Sequence, residues 1–293
     1  MEPLVTAVVP TRDEGRNVVD TVERLLRNSP DFMDVVVVDD GSTDGTVAVL
    51  ETLARREPRL TLIAAGELGP ARSRNRGARE AKGAFLAFLD AHCFTPEGWL
   101  QPILETLEAH PEAGVVGPAI GDTNNVGLRG LGGTWHDVSL DMHWIPDGGP
   151  GGEVPFQPAG CQVVRRDVFS EVGGYDEGLA RWGSEDVEFC LRVWLSGWAI
   201  RVEPRSTVYH YFRTAPPYAV DLPQIVYNKL RMCFLHFDPP TLQRVVGPQL
   251  SHPHASEALA RIFTDGTLDE ARRLRGRRRR DMAWFCRRFG LLA

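Results

Sequence analysis

Apolar runs and polar turn signals alternate regularly along the first 120 residues. Residues 4–9 form a β-branched run stopped by Pro10, and Val18, Val22, Leu25 and Leu26 follow at helical spacing within 17–27. The short, continuously apolar segment 35–38 reads as a strand buried on both faces and ends in Asp39-Asp40-Gly41. Thr43 or Asp44 then caps a helix that runs to about residue 56, before Pro58. A third strand is predicted at 60–64, a helix at 71–82 closed by Gly83, and a fourth strand at 85–89. A helix at 99–109 and a strand at 114–120 complete the series. Successive βα units of this kind predict an α/β fold: a mainly parallel sheet with helices on both faces.

The alternation breaks at 121–158, where Gly132-Gly133 and the run from Asp147 to Gly152 surround Trp135, His136, His143 and Trp144. A loop of this length inside a compact domain is usually functional or disordered. Strand and helix signals resume at 162–165, 167–172 and 184–196, with two short strands at 199–202 and 207–209. The reading is a catalytic domain over 1–219 and a helical C-terminal extension over 220–293.

Composition sharpens this picture at one point. With 43% hydrophobic and 25% charged residues, the 293-residue chain is an ordinary globular sequence, which excludes wholesale disorder. No apolar run approaches a bilayer span, no basic leader precedes the first strand, and the five Cys make no CxxC pair. These features predict a cytoplasmic protein, peripheral on the inner membrane face if its tail meets lipid. The net charge of −6 hides two unlike parts. Nine of the arginines lie between Arg272 and Arg288, so residues 269–293 carry +6 and the rest carries −12. The tail's Met282, Phe285, Cys286, Phe289 and Leu292 fall at near-helical spacing. The expected form is a helix packed on the acidic body; the alternative is an amphipathic helix on an anionic membrane surface. Nucleic acid is not an expected partner, because the body is acidic and the Arg run has no interleaved aromatics.

In open α/β sheets, ligands bind beyond the carboxyl ends of the strands. Those ends carry Thr11-Arg12-Asp13-Glu14, Asp39-Asp40 and Asp90-Ala91-His92, while the GxxxxGK[ST] and GxGxxG phosphate loops are absent. Asp90 and His92, one residue apart at a strand end, point to the same side and suit Mn²⁺ or a similar borderline ion. The alternative is a turn-capping Asp90 beside an ordinary surface His92. Glu185 and Asp186 begin a helix, where carboxylates are favoured by its positive end; Asp186 could equally be a general base. His210 ends a short strand.

Taken together, these motifs resemble the GT-A-fold glycosyltransferases of family 2, and more closely the polypeptide N-acetylgalactosaminyltransferases. The likeness is carried by Val8 to Glu14, Val36 to Gly41, Gly69 with Arg72-Ser73-Arg74 and Gly77, and Phe88 to Cys93. It continues through Ala159-Gly160, Gly173 to Asp176, Trp182 to Asp186, Arg192-Val193-Trp194 and His210 to Arg213. The resemblance implies a GT-A, Rossmann-like domain that uses a divalent metal, Mn²⁺ or alternatively Mg²⁺. It implies Asp90, His92 and His210 as metal ligands, Thr11, Glu14 and Asp40 around the nucleoside, and Arg72 near uracil or diphosphate. Gly160 would give backbone access to the donor sugar, Trp182 and Glu185 would shape the sugar and acceptor pocket, and Arg213 would meet phosphate. Residues from His210 through Arg213 to Tyr218 would form a lid. Cys93 should face away from the metal motif and is left out of it.

Three positions depart from the polypeptide-modifying pattern: Asp186 replaces the usual Asn, Cys161 a second Gly, and Ser184 another Gly. A carboxylate at 186 can accept the acceptor's proton, which predicts an inverting transfer from a nucleotide sugar, UDP-linked, with Asp186 as catalytic base and Glu185 beside it. The acceptor would be a glycan, lipid-linked or peptide hydroxyl. The alternatives are a retaining GalNAc-transferase-like enzyme, or a non-catalytic nucleotide-sugar-binding protein on the same fold.

Overall fold

The elements were obtained from a computed structural model, which describes residues 4–214 and 220–292. The first half runs β1 (Val5–Thr11), α1 (Arg16–Asn28), β2 (Met33–Asp39), α2 (Thr46–Ala54), β3 (Leu60–Ala64), α3 (Pro70–Glu80) and β4 (Phe85–Leu89). There follow β5 (Cys93–Phe94), α4 (Gln101–Ala109), β6 (Ala113–Asp122), β7 (Arg129–Gly130), β8 (Gly133–Trp135), β9 (Met142–Trp144), β10 (Cys161–Arg165) and α5 (Arg166–Val172). The remainder is α6 (Glu185–Leu195), β11 (Ala199–His210), α7 (Leu222–His236), α8 (Pro239–Gln249), α9 (Ala255–Ile262), α10 (Thr267–Arg277) and α11 (Met282–Phe289).

One sheet takes the order β3-β2-β1-β4-β10-β6-β11-β5, with β7 added beside β6. β1 to β4 pair in parallel, as do β6 and β11, whereas β10 runs antiparallel to both β4 and β6. The period-two alternation of each strand sorts its side chains onto two faces. Val5, Ala7 and Val9 join Ala87 and Leu89 in the core under α1 and α4, while Val8, Leu86 and Phe88 enter the core under α6 and α11. β2 is buried on both faces, Val35 to Val38 alike, which is why it reads as an uninterrupted valine run.

Local details differ from the sequence reading. Gly83 does not close a helix: α3 ends at Glu80, and a Cβ at Gly83 would lie 2.6 Å from the Thr6 amide nitrogen. The glycine is there because the chain crosses β1 at contact distance, its N–H donating to Thr6 Oγ1 at 3.0 Å. The two strands expected at 199–202 and 207–209 are one strand, β11, with a register shift against β6 between Glu203 and Thr207. The Gly-rich stretch holds the β8–β9 hairpin.

The helices after residue 220 share the second core with the sheet domain: Met232, Cys233, Phe237, Met282 and Phe285 pack in one cluster with Trp135, Phe156 and Trp194. A buried polar chain fixes this contact. Glu188 on α6 accepts from His236 Nε2 (2.8 Å) and Arg192 (2.7 Å), and His236 Nδ1 accepts from Arg278 (2.7 Å). The tail takes the packed form: α11 buries Met282 and Phe285, sets Phe289 edge-to-face against Trp194, and ties Arg288 to Glu153 at 2.6 Å. Its apolar face is therefore spent on the protein. No described helix is long and apolar enough to cross a membrane.

Candidate active site

The parallel register sets the site. Thr11 lies beside Asp39 and Val8 beside Phe88, so the carboxyl ends of β1, β2 and β4 open at one edge. β10 runs the other way and pairs Cys161 with Leu89, which brings Pro158 to Gly160 to the same edge. β11 pairs with β5, placing His210 opposite Cys93, and the Tyr211 N–H donates to the His92 carbonyl at 3.0 Å. Residues far apart in sequence thereby meet through ordinary sheet hydrogen bonds.

Asp90, His92 and His210 converge so that one ligand atom from each lies within 4.8 Å of the others. His92 Nε2 and His210 Nε2 are 3.1 Å apart, and His210 Nε2 is 3.6 Å from Asp90 Oδ2. Glu14 Oε1 sits 3.2 Å from His92 Nδ1. A proton on Nδ1 for that bond leaves the Nε2 lone pair facing its neighbour. Two imidazole lone pairs and a carboxylate aimed at one point repel unless a proton or a cation lies among them. A carboxylate with two imidazoles suits Mn²⁺ chemically, so these residues fit a divalent cation. Burial pushes the Asp90 carboxyl up, but the His210 hydrogen bond and the charges of Arg74, His92 and His210 hold it well below the usual carboxylate range. The Cys93 thiol is buried and outside the cluster, its pKa raised by burial and by Asp90.

Arg74 connects this cluster to the next. Its NH2 donates to Asp90 Oδ1 at 2.7 Å and its NH1 to Glu185 Oε1 at 3.0 Å, from a side chain 3% exposed. Glu185 Oε2 accepts the Gly183 N–H at 3.0 Å, so both its oxygens are committed. Asp186 is partly exposed and differs: Oδ2 accepts the Ala159 N–H at 3.1 Å, and Oδ1 the Val187 N–H at 2.8 Å. Burial and the charge of Glu185 push its carboxyl up to about 6, against the lowering effect of the two N–H groups and Arg74.

The other predicted residues take definite places. Thr11 is buried, with its Oγ1 unpaired. Asp40 is not free: it accepts from the Leu68 N–H (2.6 Å), the Gly69 N–H (2.9 Å) and Ser73 Oγ (3.0 Å), and so fixes the turn into α3. Burial raises its pKa, with these bonds opposing. Arg72 donates through Nε to the Glu177 carbonyl at 2.9 Å. Gly160 lies against the cluster, since a Cβ there would sit 3.4 Å from His210 Cδ2. Trp182 is 57% exposed. Arg213 is paired with Glu14, and Burial raises the Glu14 carboxyl less than His92 and Arg213 lower it. Tyr218 lies outside the described residues.

Gly69 is tightly enclosed beside the site. Its φ is +83°, and a Cβ would lie 2.0 Å from the Ala180 carbonyl oxygen, on the loop that leads to Trp182 and Asp186. Gly69→Ala should cost more than ~2 kcal/mol through backbone strain and displacement of that loop. Urea unfolding measures it, with a lowered midpoint at unchanged slope as the expected result.

Sequence reading assigned no role to Arg74, although a signal was present. Ala71, Arg74 and Ala78 fall at i, i+3 and i+7 on the sheet-facing side of α3, and an arginine held there must find carboxylates. The Glu14 contacts to His92 and Arg213 had no sequence signal, because they depend on how β5 and β11 meet.

The family described as glycosyl transferase family 2 matches residues 6–173, and the pattern described as the N-terminal domain of galactosyltransferase matches 157–214. Mouse polypeptide N-acetylgalactosaminyltransferase 12 is 34% identical over 68% of this chain and 38% of its own length. Polypeptide N-acetylgalactosaminyltransferase 4 of Caenorhabditis elegans is 31% identical over 74% of this chain and 40% of its own. The chain thus spans well under two thirds of these relatives. Among solved structures, GalNAc-T7 with UDP, GalNAc and Mn²⁺ superposes with a TM-score of 0.79 at 20% identity, covering 99% of this chain and 57% of that one. A Pyrobaculum calidifontis mannosyltransferase with GDP-Man and Mn²⁺ gives 0.58 at 21% identity, covering 94% and 79%. These superpositions establish the GT-A-like fold. With the family pattern matched over more than half its residues, the chain belongs to glycosyl transferase family 2.

Proposed function

We propose that the chain is a metal-dependent glycosyltransferase that moves a sugar from a nucleotide donor, UDP-linked, to a hydroxyl acceptor. The observation that carries this reading is the convergence of Asp90, His92 and His210, joined by Arg74 to the helix bearing Asp186. The solved relative that holds UDP, GalNAc and Mn²⁺ supports the donor class.

Each residue has a task in such a transfer. Asp90, His92 and His210 would hold the cation, which when bound neutralises charge on the departing diphosphate and acts as a Lewis acid. Glu14 orients the His92 ring, and Arg74 holds Asp90 and Glu185 in fixed relation. Asp40 fixes the turn that carries α3 and Arg72. Asp186 takes the proton of the acceptor hydroxyl as its oxygen bonds to the sugar's anomeric carbon; the bond from that carbon to the diphosphate oxygen breaks and the nucleoside diphosphate leaves. A base near pKa 6 is ionised at neutral pH, which suits this role.

A thermal-shift screen of nucleotide sugars with and without Mn²⁺ tests the reading. UDP-sugars should raise Tm by several degrees, about 4 °C or more at saturation, only when Mn²⁺ is present. Equal shifts without metal, or none with any nucleotide sugar, would overturn it.

A further inference from the structure

We infer that the C-terminal helices hold a second binding site, for a phosphate-bearing anion, in a cavity of about 530 Å³ that shares no lining residue with the Asp90 cluster. Its walls include Arg275, Arg278, Arg279 and Arg280, from the end of α10 and the turn into α11, together with Asp238 and Asp281.

The four guanidinium groups outnumber the two carboxylates that line the cavity. Asp238 and Asp281 are both occupied as helix caps, accepting the Thr241 N–H (2.9 Å) and the Trp284 N–H (2.6 Å). Among the described residues, the one carboxylate within 4.0 Å of any of the four guanidinium groups is Glu171, 3.4 Å from Arg279. Like charges gathered in a partly buried space are costly unless an anion joins them. Arg278 shows the strain, its pKa brought down to about 10 by burial and by Arg275.

Arg278 and Arg280 are also held in place, while Arg275 and Arg279 are exposed. Arg278 is fixed by the Leu235 carbonyl (2.8 Å), the His236 carbonyl (3.0 Å) and His236 Nδ1, whose ring is anchored in turn on Glu188. Arg275, Arg279 and Arg280 each spend a single guanidinium nitrogen on the protein: on the Phe237 carbonyl, Glu171 and the Trp198 carbonyl. Arg280 is further stacked on Trp284, 4.3 Å from the ring centroid. Capping of the α7 carboxyl end accounts for Arg275 and Arg278, but not for Arg279 and Arg280 in the same cavity. The use of Arg in place of Lys carries no weight here, since the whole chain has only Lys82 and Lys229; the convergence does. Guanidinium groups with spare N–H donors match phosphate oxygens, which accept paired bonds.

Calorimetric titration of the full chain with pyrophosphate, in EDTA and at constant ionic strength, tests the site without the metal-dependent one. Saturable binding is expected, about tenfold weaker in Arg275→Gln/Arg279→Gln. It should be unchanged in Arg272→Gln/Arg273→Gln, which removes the same charge from exposed arginines paired with Asp269 and Glu270. The single variant Arg279→Gln, at a side chain 67% exposed, serves if the double variant does not fold; about threefold weakening is expected. Sedimentation with phosphatidylglycerol against phosphatidylcholine vesicles separates the sources. Cavity-dependent retention on the anionic vesicles assigns a lipid headgroup, and pyrophosphate binding without retention assigns a soluble phosphate compound. Equal loss in both double variants, or no saturable binding to either probe, overturns the proposal.

Discussion

Asp90→Asn should lower sugar transfer at saturating Mn²⁺ by at least about 1,000-fold, because it removes the one carboxylate from the Asp90, His92 and His210 cluster. Asn keeps an oxygen for the Arg74 hydrogen bond, so the fold should survive. Arg74 would then have one carboxylate, Glu185, where it now has two, at a cost of about 1–3 kcal/mol. Paramagnetic resonance of free Mn²⁺ reads the metal affinity directly, and it should fall by at least about 100-fold in Asp90→Asn and His210→Ala. Glu14→Gln gives a graded control. It weakens the acceptor for His92 Nδ1–H without removing a proposed ligand, and should cost about 10–100-fold in affinity. Cys93→Ala, at a buried thiol outside the cluster, should leave Mn²⁺ affinity alone. Unchanged affinity in all of these variants would place the metal elsewhere.

How much of this was legible depends on where the information sits. β1, β2 and β4 could be read because a strand buried on both faces must be continuously apolar, and its end must be polar. That logic located Thr11, Asp40 and Asp90 without any knowledge of pairing. His210 was different. Its place opposite Cys93 follows from β11 running unbroken past β6 to meet a two-residue strand, and nothing local in residues 199–210 announces that length. The resemblance to a family supplied His210; periodicity alone could not. Arg74 was hidden by the habit of treating a charged residue on a helix as solvated. The tail was ambiguous for a related reason: an apolar stripe with arginines beside it is the same sequence whether it faces lipid or Trp194. Only the three-dimensional neighbour of Phe289 distinguishes the two.

Replacement of Asp186 should have an effect of similar size. Asp186→Asn keeps an oxygen for the Ala159 N–H and removes the negative charge, so the backbone at 159–160 should hold its position. Loss of a general base then costs about 10²–10⁴ in kcat, with KM for the donor little changed. The pH profile carries a second signature. The base works ionised, so kcat/KM of the wild type should rise tenfold per unit below about 6, the value to which burial and Glu185 raise Asp186, and flatten above it. In Asp186→Asn the acid limb should disappear, leaving a low and level rate. Glu185→Gln tests the cause of that pKa: it removes the neighbouring charge, so the inflection should move to lower pH. Proton NMR of the anomeric centre in a single-turnover product completes the argument. An inverted centre together with the lost limb makes Asp186 the base. A retained centre with near wild-type turnover in Asp186→Asn would show that the carboxylate only anchors Ala159.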